Sequence, residues 1–161
     1  MSIEQIEQGK EKVKEQDNQN FNDVLSAFQN VIYYFDAEFS NIDNPYKELV
    51  EEFSKITHGA FNPIQITDNF DIQNGKIATL KFLFNNKNYT KPFIINRDWI
   101  DTDFFEFMKS ICIDNNLEGK FHELYADGQD VGIIYLNQIQ YDFLRANKLL
   151  TFGDEMINED E

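Results

Sequence analysis

The sequence predicts an α+β fold in a single domain: a mainly antiparallel sheet of about five strands with helices packed on it, in the order α-α-β-β-β-α-β-β-α. The chain has 161 residues, which is the length of one domain. Its 42% hydrophobic content, with 16 Phe and 7 Tyr, can supply a sizeable core. Apolar residues recur at helical spacing in some segments and alternate in others, with turn residues between them.

Two predicted helices come first. Apolar residues recur over residues 21–39 at spacings of three and four, which predicts a long amphipathic helix. With fewer than three heptads, packing on the chain's own core is favoured over a coiled coil. A second helix has Asn44 as N-cap and Pro45 at its first position, and Gly59 can adopt the left-handed conformation that ends it. Its predicted inner face consists of Tyr46, Leu49, Val50 and Phe53.

The middle of the chain predicts strands. Asn74-Gly75 is a strong hairpin signal, preceded by Phe70 and Ile72 as expected strand residues of uncertain register. The segment "NNKN" at 85–88 predicts a second turn. Pro92 lacks a backbone donor and therefore predicts an edge strand or a bulge. The alternating apolar positions of the strand after the first turn are Ala78, Leu80, Phe82 and Phe84.

A third helix and two further strands follow. Asp101 or Thr102 can cap this helix. Residues 120–125 and 131–136 then predict two strands, and the second is apolar almost throughout, as expected of a central strand covered on both faces. The predicted inward positions of the helix are Phe104, Phe107, Met108, Ile111 and Cys112. We expect Phe107 and Ile134 to be core residues.

The last predicted helix begins at a capping box. Asn137 caps it, and Gln140, three residues later, can bond back to the cap. Its expected inward residues are Ile139, Phe143 and Leu144.

The domain is predicted to span residues 20–153. Residues 1–19 have few apolar positions and predict a flexible charged extension. Residues 154–161 contain five acids and no base, which predicts a disordered acidic tail.

Charge indicates the kind of partner. The 29 acids and 14 bases give a net charge of −15, and residues 21–153 remain acidic, with 19 acids and 11 bases. Phosphate contacts need Lys and Arg clusters, so direct binding to nucleic acid is disfavoured. A basic protein would be attracted and steered. The alternative is that the acidity only gives solubility.

Residues that carry chemistry are scarce. His58 and His122 lie 64 residues apart, and Cys112 falls on the apolar stripe of its helix, where a free cysteine is usually inert. No glycine-rich phosphate loop and no G-x-S-x-G elbow occur. We therefore expect no catalytic residue, no metal and no cofactor. Without a signal-like or membrane-spanning apolar run, the sequence predicts a cytoplasmic protein that does not bind membranes.

Binding residues are expected on the first two predicted helices. Residues 36–52 contain six acids and one lysine. We expect the Trp99 side chain to be a core plug, that is, to be buried in the protein's own core rather than to contact a binding partner. The candidate binding residues are Tyr33, Tyr34, Asp36, Glu38, Glu48, Glu51 and Glu52.

The chain resembles the immunity proteins of bacterial polymorphic toxin systems, including contact-dependent growth inhibition. The resemblance rests on size, acidity, aromatic richness and the strand-plus-helix segment "DGQDVGIIYLNQIQYDFLRANKL". It implies a single domain that binds a cognate toxin, often a basic nuclease, and blocks it. Two alternatives are a small-molecule or lipid-binding α+β module and a phage inhibitor that mimics nucleic acid.

Overall fold

A computed structural model describes residues 31–158 as an α+β fold with two three-stranded antiparallel sheets. The first sheet has the order β1-β6-β5, with β1 Ile32–Asp36, β5 Gly119–Leu124 and β6 Asp130–Asn137. The second has the order β2-β3-β4, with β2 Ile64–Thr67, β3 Ile77–Phe84 and β4 Lys87–Ile94. The helices are α1 Pro45–Ile56, α2 Asp103–Asp114 and α3 Gln138–Ala146, followed by a 3₁₀ helix over Gly153–Asn158.

The α+β class is confirmed, but the prediction of one sheet of about five strands is only partly correct. The strands divide into two sheets because β6 pairs with β1 and β5, whereas β3 pairs with β2 and β4. Both sheets share one main core with α1 and α2.

The helix predicted over residues 21–39 is wrong where the structure describes it, because Ile32–Asp36 forms β1. This strand pairs antiparallel with β6, and Ile32 lies opposite Ile134. A short apolar run suits a helix or a strand equally well, and the pairing with β6 decides. The described order is therefore β-α-β-β-β-α-β-β-α. Residues 21–30 of the predicted helix, like the predicted extension over residues 1–19, lie outside the described residues.

The prediction for α1 is largely confirmed. Pro45 occupies its first turn and its four predicted inner residues are buried. Gly59 has a φ of 95°, as predicted, although the helix already ends at Ile56. Asn44 precedes the helix with a φ of 54°, and its side chain makes no capping bond.

The hairpin of β3 and β4 agrees with the sequence. All four predicted inner residues of β3 are buried. Asn85 and Asn86 connect the strands with φ values of 48° and 59°, as a type I′ turn requires. Pro92 lies on β4, an edge strand of its sheet.

The hairpin predicted at Asn74-Gly75 is wrong. The strand that pairs with β3 is Ile64–Thr67, so Phe70 and Ile72 lie in the loop between them. Local bonds shape this loop: Gly75 N donates to the carbonyl of Asp71 (2.8 Å), and the Asp71 carboxylate accepts backbone bonds from the next residues. An Asx-type turn therefore replaces the two-residue hairpin.

Helix α2 buries a slightly different face from the predicted one. Phe104, Met108, Ile111 and Cys112 are buried, as expected. Phe105 is also buried, because its ring stacks on Phe35 of β1 at 6.4 Å. Phe107 is only half-buried at the margin of the core.

The central strand β6 is covered on both faces, as predicted. Ile133 belongs to the main core, whereas Ile134, fully buried as predicted, belongs to a second cluster on the α3 side. The capping box of α3 is confirmed by bonds of 2.9 and 3.0 Å between Asn137 and Gln140. Ile139 is wrongly predicted, since it is 72% exposed. The second cluster receives Leu144, which is buried, and Phe143, which is half-buried, so Ile139 lies on the other side of the helix.

The first five residues of the predicted acidic tail, 154–158, lie within the described part of the chain. These residues belong to the 3₁₀ helix, which follows the buried Phe152. Arg145 Nε donates to Glu155 Oε1 (2.7 Å), and Tyr141 Oη donates to Asp154 Oδ2 (3.1 Å). Residues 159–161 lie outside the described residues.

Candidate partner-binding surface

Three segments meet where β1 ends. Ala37 N donates to the carbonyl of Gln129 (2.8 Å), just before β6 begins. Phe39 N donates to the carbonyl of Asp98 (2.6 Å), and Ile100 N donates back to the carbonyl of Ala37 (2.9 Å). Residues 37–39 are therefore held between the loop at 95–101 and the start of β6.

This junction brings together carboxylates that are distant in the sequence. Asp36 lies directly opposite Asp130 in the β1–β6 ladder. Gln129 Nε2 donates to Asp36 Oδ1 (3.2 Å) and to Glu38 Oε2 (3.4 Å), so these two carboxylates share one donor. We call the surface formed by Asp36, Glu38, Asp98, Asp127 and Asp130 the acidic end.

The carboxylates of the acidic end contribute to raised pKa values of two groups there. The charge of Asp98 is the largest cause that raises the pKa of Glu38. Desolvation, a hydrogen bond with Asp130 and the charges of neighbouring carboxylates together raise the pKa of Tyr34 to about 12. Both shifts disfavour further negative charge, and a cationic group placed here would be stabilised.

Lysines neutralise part of the predicted site but not the acidic end. Glu51 pairs with Lys47 at 3.9 Å, and Glu52 pairs with Lys55 of the same helix. The ion pairs formed within residues 31–158 include no carboxylate of the acidic end. Of these two groups of described carboxylates, the acidic end is therefore the less neutralised.

The two predicted tyrosine anchors point to opposite faces of β1, because they are neighbours on a strand rather than on a helix. Tyr33 stacks on Phe35 at 4.6 Å and packs against the main core. Desolvation, followed by the charges of Glu52 and Glu48, raises its pKa to about 12. Tyr34 faces the acidic end and is the better candidate for an anchor.

A cavity of about 70 Å³ lies between β1 and the start of α1. Its lining includes Asp36, Glu38, Glu48 and Tyr33. The structure thus brings these four predicted residues together, with Glu48 at the margin, whereas Glu51 and Glu52 do not line the cavity.

Sequence reasoning missed Asp98, Asp127 and Asp130 as members of the site. The segment "DGQD" gave only a turn signal, and its position beside β1 could not be seen while β1 was predicted to be helical. Trp99, expected to be a core plug, is half-buried and forms a backbone bridge with Glu38.

A second concavity, a groove of about 800 Å³, runs beside β5. Its walls include Lys109 and Ile113 of α2 and Tyr141 of α3. His122 also lines it, stacked on the Tyr141 ring at 4.4 Å, and desolvation lowers the pKa of His122 to about 4.

Burial raises the pKa of Cys112 to about 11, and this thiol lies in the main core, apart from the His122 stack. Within residues 31–158, no group of three or more His, Cys, Asp or Glu side chains could hold a metal ion.

Comparisons with protein-family models, with curated proteins and with solved structures found no match for this chain. No helix in the described part of the chain is long and apolar enough to cross a membrane.

Proposed function

We propose that this protein is a non-enzymatic binding protein that captures a basic protein at its acidic end. The observation that carries the proposal is the placement of Asp36 directly opposite Asp130, with Glu38 beside them and no ion pair to a described lysine or arginine. Like charges in directly opposed strand positions destabilise a sheet. A Lys or Arg side chain from a partner relieves that repulsion, so binding is favoured.

The acidic end also suits rapid association. The electrostatic field of a surface whose charges share one sign steers an oppositely charged partner before contact and raises the association rate constant. Steering weakens with salt because screening acts over about 8–10 Å. Tyr34 provides an aromatic side chain at the same surface, where tyrosine is a frequent anchor of protein interfaces.

The particular basic partner that we propose is a bacterial toxin domain, which makes this chain an immunity protein. Its size, acidity and aromatic richness support this assignment. Binding at the acidic end would neutralise the toxin by covering its basic, substrate-binding surface.

Two matched charge reversals test the proposal. The triple variant Asp36→Lys, Glu38→Lys, Asp98→Lys and the triple variant Glu48→Lys, Glu51→Lys, Glu52→Lys change the net charge equally. We expect the first to slow association with the product of an adjacent toxin gene at least about 10-fold and to abolish protection of cells. The second should have a smaller effect, because two of its three glutamates already pair with lysines. Stopped-flow mixing at low and physiological salt measures both rates. The proposal is wrong if the first variant folds, binds and protects like the parent.

A second candidate function follows from the groove beside β5. Its volume of about 800 Å³ lies within the range of small-molecule sites, about 300–1,000 Å³. The stacked rings of His122 and Tyr141 offer a flat wall to an apolar ligand. Magnetic resonance titration with metabolite mixtures tests this function: shifts confined to the groove support it, and unchanged spectra contradict it.

A further inference from the structure

The charge of this acidic protein is unevenly distributed along the chain. Residues 72–97 contain five bases and no acid, so the rest of the chain holds nine bases and all 29 acids. The basic segment includes both β3 and β4. Within residues 31–158, two strands of the second sheet therefore lie in the segment with the greatest excess of bases over acids.

Within the described residues 31–158, one face of this sheet carries several exposed side chains. Ile77 and Ile94, which are 55% and 68% exposed, are cross-strand partners. Ile64, 56% exposed, lies opposite Leu83. Lys81 lies between these two apolar pairs on the same side of β3, since side chains alternate along a strand. We call the surface formed by Ile64, Thr67, Ile77, Thr79, Lys81, Leu83, Thr90, Pro92 and Ile94 the outer face.

The outer face differs from an ordinary solvated sheet. None of its residues carries a carboxylate, although the protein has 29 of them. It also holds three of the seven large hydrophobic residues that are exposed among residues 31–155. Apolar patches of this kind on a soluble domain mark interaction sites.

The edge of the sheet limits how a partner can bind. Pro92 has no N–H to offer to an added strand, and Ile94 N already donates to Asp101 Oδ2 at 2.7 Å. Strand addition along β4 is therefore hindered. Because the β4 edge is hindered, we consider a partner that lies on the outer face itself.

We propose that the outer face docks an acidic polypeptide whose apolar side chains contact the isoleucines and whose carboxylate contacts Lys81. The positive charge of Lys81 and the absence of carboxylates on the outer face favour an acidic partner. A second copy related by a two-fold axis through the centre of the outer face would bring Lys81 against Lys81, burying two like charges. Nucleic acid needs a row of free cations, but Lys91 pairs with Asp103 at 3.8 Å and Lys87 bonds to the carbonyl of Asp114. This surface is separate from the acidic end, so it does not depend on the function proposed above.

Two designed peptides test the proposal. Both are amphipathic helices of about 18 residues with leucine on one face, and they carry either glutamate or lysine on the other. In methyl spectra of the full chain, the glutamate peptide should shift the isoleucine signals of the outer face, and the lysine peptide should not. Lys81→Glu should weaken binding of the glutamate peptide at least about 10-fold, and the double variant Ile77→Thr, Ile94→Thr should do the same.

Ile139→Thr is the matched control, because Ile139 is exposed on α3, outside the outer face. It should bind like the parent, and thermal unfolding checks that every variant is folded. The proposal is overturned if the glutamate peptide leaves the outer-face signals unchanged or if Lys81→Glu has no effect. It is equally overturned if sedimentation shows a dimer that the isoleucine variant dissociates, or if only phosphatidylserine vesicles bind.

Discussion

Asp36 and Asp130 face each other across the β1–β6 ladder, and their carboxylates are not paired with any described lysine or arginine. Such an arrangement costs stability that the free protein could recover by losing one charge. We therefore expect Asp36→Asn to raise the free energy of unfolding by about 0.2–1 kcal/mol. The amide oxygen of asparagine can still accept the bond from Glu38 N. Urea unfolding at low salt measures the gain, and the exposed substitution Glu118→Gln is the control. A loss of stability in Asp36→Asn would contradict this explanation.

Asp101 joins three elements. Its carboxylate accepts bonds from Ile94 N of β4 (2.7 Å) and from Asp103 N in the first turn of α2 (3.0 Å). Its own N–H donates to Tyr46 Oη of α1 at 3.0 Å. Asp101→Ala removes the acceptor of the Asp103 N–H at the start of α2 and leaves the Ile94 N–H without its partner, so we expect a loss of about 1–3 kcal/mol in the free energy of unfolding. Asp142→Ala, on the exposed side of α3, should cost less than about 0.5 kcal/mol. Equal costs for the two variants would show that the bridging role is unimportant.

The C-terminal 3₁₀ helix is expected to stabilise the domain. Glu155 accepts bonds from Arg145 Nε (2.7 Å) and from Phe152 N (3.0 Å), and so ties the segment to α3. Ending the chain at Gly153 removes these contacts and loosens the buried Phe152. We expect this truncation to lower the melting temperature by several degrees, contrary to the expectation from acidity alone. A chain ending at residue 158 should melt close to the parent. Indistinguishable melting of all three chains would show that residues 154–158 do not stabilise the domain.

His122 should make stability depend on pH. Burial lowers its pKa from about 6.5 to about 4, so the folded protein holds the neutral imidazole. The unfolded chain binds a proton near pH 6.5, which means that unfolding takes up a proton below that pH. The stability that the neutral His122 side chain contributes is complete above about pH 6.5 and is lost as the pH falls through about 4. His122→Phe keeps an aromatic ring against Tyr141 and should flatten the decline in urea-unfolding free energy between pH 6.5 and 4. An unchanged slope would rule out His122 as its source.

Local signals predicted several elements correctly because neighbouring residues alone determine them. The Asn85-Asn86 turn needs two residues with positive φ, and asparagine tolerates that conformation. The capping box of Asn137 and Gln140 is formed within one turn of α3. The spacing of Tyr46 and Phe53 and the alternation of Leu80 and Phe82 each indicate one buried face.

The candidate site was predicted less well, for a physical reason. Asp36 and Glu38 were identified as binding residues, but they were assigned to a helix together with Glu51 and Glu52. On a strand, the same acids face Asp130, which is 94 positions away in the sequence. Charge density along the sequence cannot report which carboxylates meet across a sheet.

The sequence by itself determined the α+β class, the positions of most strands and helices, the predominance of acids and the absence of recognisable catalytic motifs. These properties depend on composition and on contacts between residues a few positions apart. Tertiary structure decided the division into two sheets, the conversion of Ile32–Asp36 into β1 and the separation of the acidic end from the basic outer face. Those outcomes depend on pairing between distant segments. A short apolar run such as β1 has no fixed conformation until β6 supplies the backbone partners for its N–H and C=O groups.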